Sequence, residues 1–320
     1  MVADRHGREI VAPLLKATFA LSISTKPALS ENQAEVCMAG VFNSDLDAAS
    51  YKYEPETAYT KSTTDVVLVG SAHPTQRNQT HADVRVRVGD AVDKTVRVFG
   101  DRTWIRRLGM IEKSHPAVID QPIPLIYERA FGGWDAAEPD PMTSRFEPRN
   151  PVGVGFKRME FEDGLPLPNL EDPRRPLNMY GDTPPPAGFG FISPHWQPRA
   201  ALAGTYDKRW QETRAPLLPK DFDERFFNAA SPGMITKEYL RGDEAVLIEN
   251  ATPSGRLSFQ LPGVPPPKVR VQLRGLPDVL LQTNLDTVII NTDEMLLLLL
   301  WRAHVPLRSG PHDVAAIEVF

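Results

Sequence analysis

The stretch YERAFGGWD, residues 127–135, places two carboxylates and a tryptophan close together. Glu128 and Asp135 could form the acid–base pair of a glycosidase, which needs two carboxyl groups about 5–10 Å apart across a cleft. Trp134 or Trp196 would then offer a flat platform for a sugar ring. A carbohydrate-active protein that binds or cleaves cell-wall glycan is therefore one hypothesis for this chain.

The same stretch also has a structural interpretation, which its neighbours favour. Glu128 is adjacent to Arg129, other arginines follow, and such charges more often form an ion-pair and hydrogen-bond network than an active site. Gly132 and Gly133 permit a sharp turn, because glycine adopts backbone angles that other residues avoid. We expect these four residues to form a structural network whose turn packs the flanking aromatic rings against a sheet.

Other catalytic patterns have little support in the sequence. It contains no Gly-x-Ser-x-Gly nucleophile elbow and no GK[ST] phosphate loop. The only cysteine, Cys37, lies in the apolar run AEVCMAGVF, where a buried, inert thiol is commoner than a reactive thiolate. The 7 histidines lack the i, i+4 spacing and the cysteine partners of common zinc sites. The sequence therefore predicts no catalytic residue, no cofactor and no metal.

Composition and charge disfavour several classes of protein. The 320-residue chain has 41% hydrophobic and 24% charged residues, which is ordinary for a folded domain. Its net charge of -5 gives no general attraction to phosphate backbones, so nucleic acid is disfavoured as a partner. A lone cysteine excludes an intrachain disulfide, and the N-terminal residues lack the apolar core of a signal peptide. We therefore expect a cytoplasmic protein.

The most apolar run is MLLLLLW, residues 295–301. It is far shorter than the roughly 20 residues that a helix needs to cross a bilayer. Asp293, Glu294 and Arg302 bracket it closely. The run therefore predicts a buried strand and no membrane partner.

Strand patterns dominate both ends of the chain. Within residues 8–108, valines alternate with arginines in DVRVRVG and KTVRVFGDRTWIRRL. This period of two predicts a sheet with one buried face, and Gly89 and Asp90 between the runs predict an antiparallel hairpin. Within residues 244–307, the runs EAVLIEN, GRLSFQLP, KVRVQLRG and LDTVIINTDE also have the character of strands.

The middle of the chain, residues 115–232, has a different texture. Many of the 31 prolines fall between residues 116 and 267, where they remove amide donors and disfavour long helices. Because a long structureless loop is unusual in a compact domain, we expect an ordered, irregular layer with short helices at residues 206–214 and 221–230. The predicted fold is mainly β: two packed or curved antiparallel sheets and this Pro/Gly-rich layer, in one domain of residues 1–320.

Several phrases, taken in chain order, resemble one bacterial family. They are VLVGSAH, VFGDRTW, YERAFGGWD, RNPVGVGF, LPNLEDP, PAGFGFISPHWQPR, YDKRWQETRAPLLPKDFDERFFNAASP and DEAVLIEN. The sequence is similar to the family known as domain of unknown function 2169, which is found with type VI secretion systems. The resemblance covers nearly the whole chain, and its specificity lies in the joint order of the phrases.

This resemblance implies a non-enzymatic adaptor or chaperone, which binds a toxic effector and helps to load it onto the secretion spike, at its trimeric base or its tip protein. Some relatives carry pentapeptide repeats, which this chain lacks. An adaptor needs an exposed surface, and aromatic and arginine side chains are enriched in such surfaces. Trp134, Phe189, Trp196 and Arg199 are therefore the predicted partner-binding residues. The open edges of the sheets offer a second docking mode, by strand addition.

Overall fold

Short strands carry the architecture, as the alternating patterns predicted. The computed structural model describes residues 3–4, 6–22, 26–44, 49–135, 145–308 and 310–320. In chain order the strands are β1 (Ile10–Val11), β2 (Leu14–Ala20), β3 (Ala28–Leu29), β4 (Val41–Phe42), β5 (Tyr51–Tyr53), β6 (Asp65–Val69), β7 (Ser71–Ala72), β8 (His81–Val88), β9 (Val92–Phe99), β10 (Thr103–Arg107), β11 (Met110–Lys113) and β12 (Ile123–Pro124). They continue with β13 (Phe131–Gly132), β14 (Val154–Gly155), β15 (Leu165–Pro166), β16 (Leu170–Glu171), β17 (Ala245–Glu249), β18 (Arg256–Gln260), β19 (Lys268–Leu273), β20 (Val279–Gln282), β21 (Asn284–Asn291), β22 (Leu296–Arg302), β23 (Val305–Pro306) and β24 (Val314–Val319).

One five-stranded sheet, which we call sheet A, has the order β16-β9-β8-β17-β18 and is antiparallel throughout. Its β8–β9 hairpin is the predicted one and closes with Val88 opposite Val92. The valines of the hairpin are buried, whereas Arg85 on the other face pairs with Asp93 at 2.7 Å. The period of two therefore identified both the strands and the buried face of this sheet.

The second five-stranded sheet, sheet B, has the order β3-β2-β22-β21-β6. Its strand β22 contains most of the apolar run MLLLLLW, and Leu297 to Leu300 are buried as predicted. However, β6 runs parallel to β21, with Val67 opposite Ile289. The other pairs of sheet B are antiparallel as predicted, and this one pair differs because alternation along one strand contains no information about the direction of its partner.

Both large sheets combine strands from the two ends of the chain. In sheet A, β8 pairs with β17, and in sheet B, β6 pairs with β21. Smaller sheets of two or three strands are also present in the described part of the chain, including β11-β10-β15 and β20-β19-β24. The described residues thus contain two large sheets, as expected, and several smaller sheets in addition.

The main hydrophobic core takes side chains from sheet A, from sheet B and from the middle segment, residues 115–232. Val86 of sheet A, Val67 of sheet B and Phe189 of the middle segment belong to one buried cluster. A smaller cluster contains Trp104 and Phe131. The middle segment is therefore an ordered layer that is packed on the sheets, as its aromatic residues predicted.

Helical structure is brief throughout the described residues. Helix α1, Lys208–Thr213, confirms the first predicted helix, and Asp207 caps it by accepting from the Trp210 amide at 2.7 Å. The second prediction, residues 221–230, was wrong in extent, because only the 3-10 turn Glu224–Phe227 forms there. The other 3-10 turns of the described residues are Tyr127–Arg129, Arg199–Leu202 and Pro311–Asp313. None of these helices is long and apolar enough to span a membrane.

Candidate functional site

Glu128 and Arg129 share a 3-10 turn but bind different segments. The Glu128 carboxylate accepts from the backbone amide and from the hydroxyl of Ser50, each at 2.7 Å. Arg129 donates to Asn169 Oδ1 at 3.1 Å and lies 4.0 Å from Asp101, with 40% of its side chain exposed. Of the predicted ion-pair and hydrogen-bond network, the hydrogen bonds are present, whereas the ion pair is long and half-exposed instead of internal.

Gly132 and Gly133 allow two backbone segments to approach closely. A Cβ atom on Gly132 would lie 2.0 Å from Asn150 O, and one on Gly133 would lie 2.4 Å from Gly153 O. Such distances exclude any side chain, and Gly133 also has a positive φ of 95°. The two glycines are therefore needed for the close approach of two backbone segments as well as for the turn.

Asp135 is fully buried, where its carboxylate pairs with Arg145 and accepts from the Met159 amide at 3.1 Å. A carboxylate without solvent exposure cannot act on a sugar in a cleft. The Glu128–Asp135 pair of the carbohydrate hypothesis therefore loses one of its two members.

The predicted partner-binding residues are mostly internal. Phe189 has no exposed surface, Trp196 packs edge-to-face on Tyr127 at 5.6 Å, and both belong to the core. Arg199 pairs with Glu54 at 2.5 Å and has 7% of its side chain exposed. As surface contacts Phe189 and Trp196 were wrong, because large aromatic rings can serve the interior as well as a surface, whereas Arg199, although paired, lines a cavity of about 310 Å³. Only Trp134 is exposed, at 45%.

A cavity of about 510 Å³ lies beside strand β9 of sheet A. One wall is the strand itself, from Asp93 to Val96, and a second is the turn after β16, from Asp172 to Arg175. Prolines of the middle segment supply much of the remaining lining: Pro185, Pro186, Pro198 and Pro232. The irregular layer therefore leaves part of the sheet uncovered.

The outer edge of β9 is paired along only part of its length. Strand β16 pairs with Arg97 and Val98, and the Phe99 amide donates to Asn169 O. Because backbone groups alternate in direction along a strand, Asp93 and Thr95 also point their N–H and C=O groups toward this edge. Among the described residues, none forms a backbone hydrogen bond with Asp93 or Thr95 on that side.

Pro173 explains why the pairing stops. In the observed register Leu170 lies opposite Val98 and Glu171 opposite Arg97, so continuation would place Pro173 opposite Thr95. This is a hydrogen-bonding position, and proline has no N–H to donate to the Thr95 carbonyl. The sequence therefore keeps the edge of β9 open beside the cavity.

Lys94 points from β9 into the buried side of the sheet, in phase with Val92 and Val96. Its Nζ donates to Ser231 Oγ at 2.7 Å and to Pro232 O at 2.8 Å. Burial lowers the pKa of Lys94 to about 7, and the charge of Asp172 opposes this shift. Lys94 is therefore an amine held at the cavity floor by neutral oxygen atoms.

A lysine beside a serine also occurs in Ser–Lys catalytic dyads, but Ser231 is already fully engaged. Ser231 Oγ accepts from Tyr127 OH at 2.9 Å as well as from Lys94, and it donates to Gly188 O at 2.8 Å. Ser231 is also fully buried. The cluster is therefore arranged to hold the floor of the cavity, and not to attack a substrate.

A second cavity, of about 310 Å³, adjoins the first and shares Ile192, Pro198 and Pro232 with it. Its lining includes the apolar side chains of Leu202 and Ile235. We call the two cavities together the trough. Within the described residues, no group of three or more His, Cys, Asp or Glu side chains is placed to hold a metal ion.

Residues 6–302 match a family described as uncharacterized protein conserved in bacteria, DUF2169. The chain belongs to this family. Among curated proteins and solved structures, no match was found. The description of DUF2169 names no activity.

The trough of this DUF2169 protein was missed by sequence reasoning, although one signal was present. In VDKTVRV, residues 92–98, Lys94 lies on the same face of the strand as the valines, where the alternating pattern predicts an apolar side chain. The other walls come from segments that are distant in sequence. Chemically, the first cavity of the trough offers open backbone hydrogen-bonding groups and basic side chains. The second cavity, which we call the recess, offers apolar side chains.

Proposed function

We propose that this DUF2169 protein is a non-enzymatic adaptor of a bacterial type VI secretion system. It binds an effector in the cytoplasm and helps to load it onto the spike, through the trimeric base or the tip protein. The resemblance described above supports the secretion context. The observation that carries the proposal is the open edge of β9. An unpaired strand edge beside cavities that can receive side chains is suited to binding an extended protein segment.

The polar groups around the trough are held in place by structural contacts, which favours recognition over reaction. Arg149 is fixed by Glu147 at 2.6 Å. Asp172 accepts from the Arg174 amide at 2.9 Å and pairs with Arg175 at 3.2 Å. Preorganised walls of this kind reduce the entropy that is lost when a partner binds.

The proposal is tested by expressing the tagged full chain in its own bacterium and identifying type VI proteins that co-purify with it. We expect an effector or a spike protein among them. Secretion of that effector should fall in a deletion strain and return when the full chain is restored. Normal secretion in the deletion strain, together with no binding to any effector or spike protein, would remove the proposal.

A further inference from the structure

We infer that the trough binds an extended, acidic segment of a partner protein, which adds to sheet A as a strand beside β9 and inserts one bulky apolar side chain into the recess at Ile235. The inference rests on the proposed adaptor function and specifies which part of a partner is recognised. Three features of the trough carry it: the open edge of β9, the positive charge of the exposed Arg174 and the adjoining second cavity.

The open edge provides the hydrogen bonds. Asp93 and Thr95 each present one N–H and one C=O group outward, and Pro173 prevents the chain's own strand β16 from taking the Thr95 position. An incoming strand of three or four residues spans these two positions, since a strand rises about 3.3 Å per residue. The geometry thus selects an extended segment over a helix.

The charge of the first cavity favours acidic side chains. Its two acidic residues already have partners, since Asp93 pairs with Arg85 at 2.7 Å and Asp172 with Arg175 at 3.2 Å. In the described part of the chain, neither Lys94 nor the Arg174 guanidinium forms an ion pair within 4.0 Å, although Asp172 acts on Lys94 and Arg174 acts on Asp93 at longer range. The exposed Arg174 guanidinium is therefore the positive charge that a ligand can reach, since the lowered pKa of Lys94 leaves that amine only partly charged near pH 7.

The same charge argues against a second copy of this chain as the occupant. Edge-to-edge pairing of two β9 strands would bring two copies of the exposed Arg174 close together. Like charges at a strand edge, and a lysine that points inward, are features by which proteins prevent such pairing. The occupant is therefore a different protein segment with acidic residues.

The recess beyond the first cavity accounts for the apolar anchor. It adjoins the first cavity at Ile192, Pro198 and Pro232, which line both, and its lining includes Leu202 and Ile235. Ile235 is 38% exposed there, so a ligand side chain would cover apolar surface that is now in water. A segment that lies along β9 with its acidic residues therefore reaches the recess with a neighbouring apolar residue.

The test begins with a phage library of random 12-residue peptides, which is selected on the full-length chain. We expect enriched peptides to combine Asp or Glu with a bulky apolar residue. One enriched peptide is then labelled with fluorescein, and its affinity is measured by anisotropy. Thr95→Pro, which removes an outward N–H, and Arg174→Glu should each weaken binding at least tenfold.

Ser258→Pro is the matched control, because β18 is the opposite edge of sheet A. The Leu261 amide donates to Glu244 O, so alternation directs the Ser258 amide away from β17, into an exposed position. This variant should bind the peptide as the wild type does. Thermal unfolding of all variants checks the fold. If Thr95→Pro does not fold, the same peptide with alternate amides N-methylated should lose binding to the wild type.

Each outcome decides the inference. It is overturned if no peptide is enriched, if enriched peptides lack acidic residues, or if binding is insensitive both to Thr95→Pro and to N-methylation. The assay contains no secretion component, so peptide binding without any effector partner would retain the inference and remove the adaptor function. If the chain binds an effector and Thr95→Pro leaves that binding unchanged, the adaptor function is supported and the inference about β9 is overturned.

Discussion

Lys94 Nζ donates a hydrogen bond of 2.7 Å to Ser231 Oγ, which joins strand β9 to the irregular layer beneath the trough. The ammonium also lies 5.7 Å above the ring of Phe189, one of the residues that the sequence nominated for partner contact. Phe189 therefore lies beneath the trough, where its ring packs against Lys94, which lines the trough. Together with the hydrogen bond from Lys94 to Pro232 O, this contact fixes Lys94 against the layer.

The burial of Lys94 predicts that stability rises with pH. Burial lowers its pKa in the folded state to about 7, from an ordinary value of 10.5. Between these values the unfolded chain binds the additional proton, so the free energy of unfolding increases with pH, by at most about 1.4 kcal/mol per unit. Urea unfolding between about pH 7 and pH 9 should show a smaller slope for Lys94→Met than for the wild type.

The control for this titration is Lys208→Met, since the Lys208 side chain is 87% exposed. It should keep the wild-type slope. Identical slopes in Lys94→Met and the wild type would show that Lys94 is charged in the folded protein throughout this range.

Arg199 should contribute more to stability than Arg129. Arg199 and Glu54 form a buried pair at 2.5 Å, and removal of one partner from such a pair costs about 3–5 kcal/mol. Arg129 is half-exposed and 4.0 Å from Asp101, so its loss should cost at most about 1 kcal/mol. Urea unfolding of Arg199→Met and Arg129→Met measures both values. A larger loss in Arg129→Met would restore the internal network that the sequence predicted.

Gly132 should tolerate no side chain. In Gly132→Ala the new Cβ would meet Asn150 O at 2.0 Å, so backbone atoms of two segments must move apart. Gly164→Ala is the matched control, because Gly164 also has a positive φ but no atom lies within 4 Å of its Cβ position. We expect a loss of about 1–2 kcal/mol for the control and a larger loss for Gly132→Ala. Equal melting temperatures for the two variants would contradict the close approach.

The elements that the sequence predicted well are those defined by local patterns. Alternation in VRVRV located β8 and its buried face, and the run MLLLLLW located β22. Helix α1 was predicted as a short helix within residues 206–214. Each of these features depends on residues that are close in sequence.

The remaining features depend on residues that are far apart in sequence. Thr64 and Leu285 illustrate this, because the Thr64 hydroxyl donates to Leu285 O where β6 enters sheet B beside β21. The Arg199–Glu54 pair likewise joins the middle segment to the N-terminal third. The trough has the same origin, since Pro173 matters only through its register with Thr95. Aromatic residue type alone also could not separate buried Phe189 from exposed Trp134.

The most direct test of the trough as the binding site is amide hydrogen exchange along β9, with and without a bound effector. We predict slower exchange at Asp93 and Thr95 in the complex, because their outward amides gain partners. The opposite edge, Arg256–Gln260, should exchange at an unchanged rate. An effector that binds this chain tightly and leaves exchange at Asp93 and Thr95 unaltered would contradict the account.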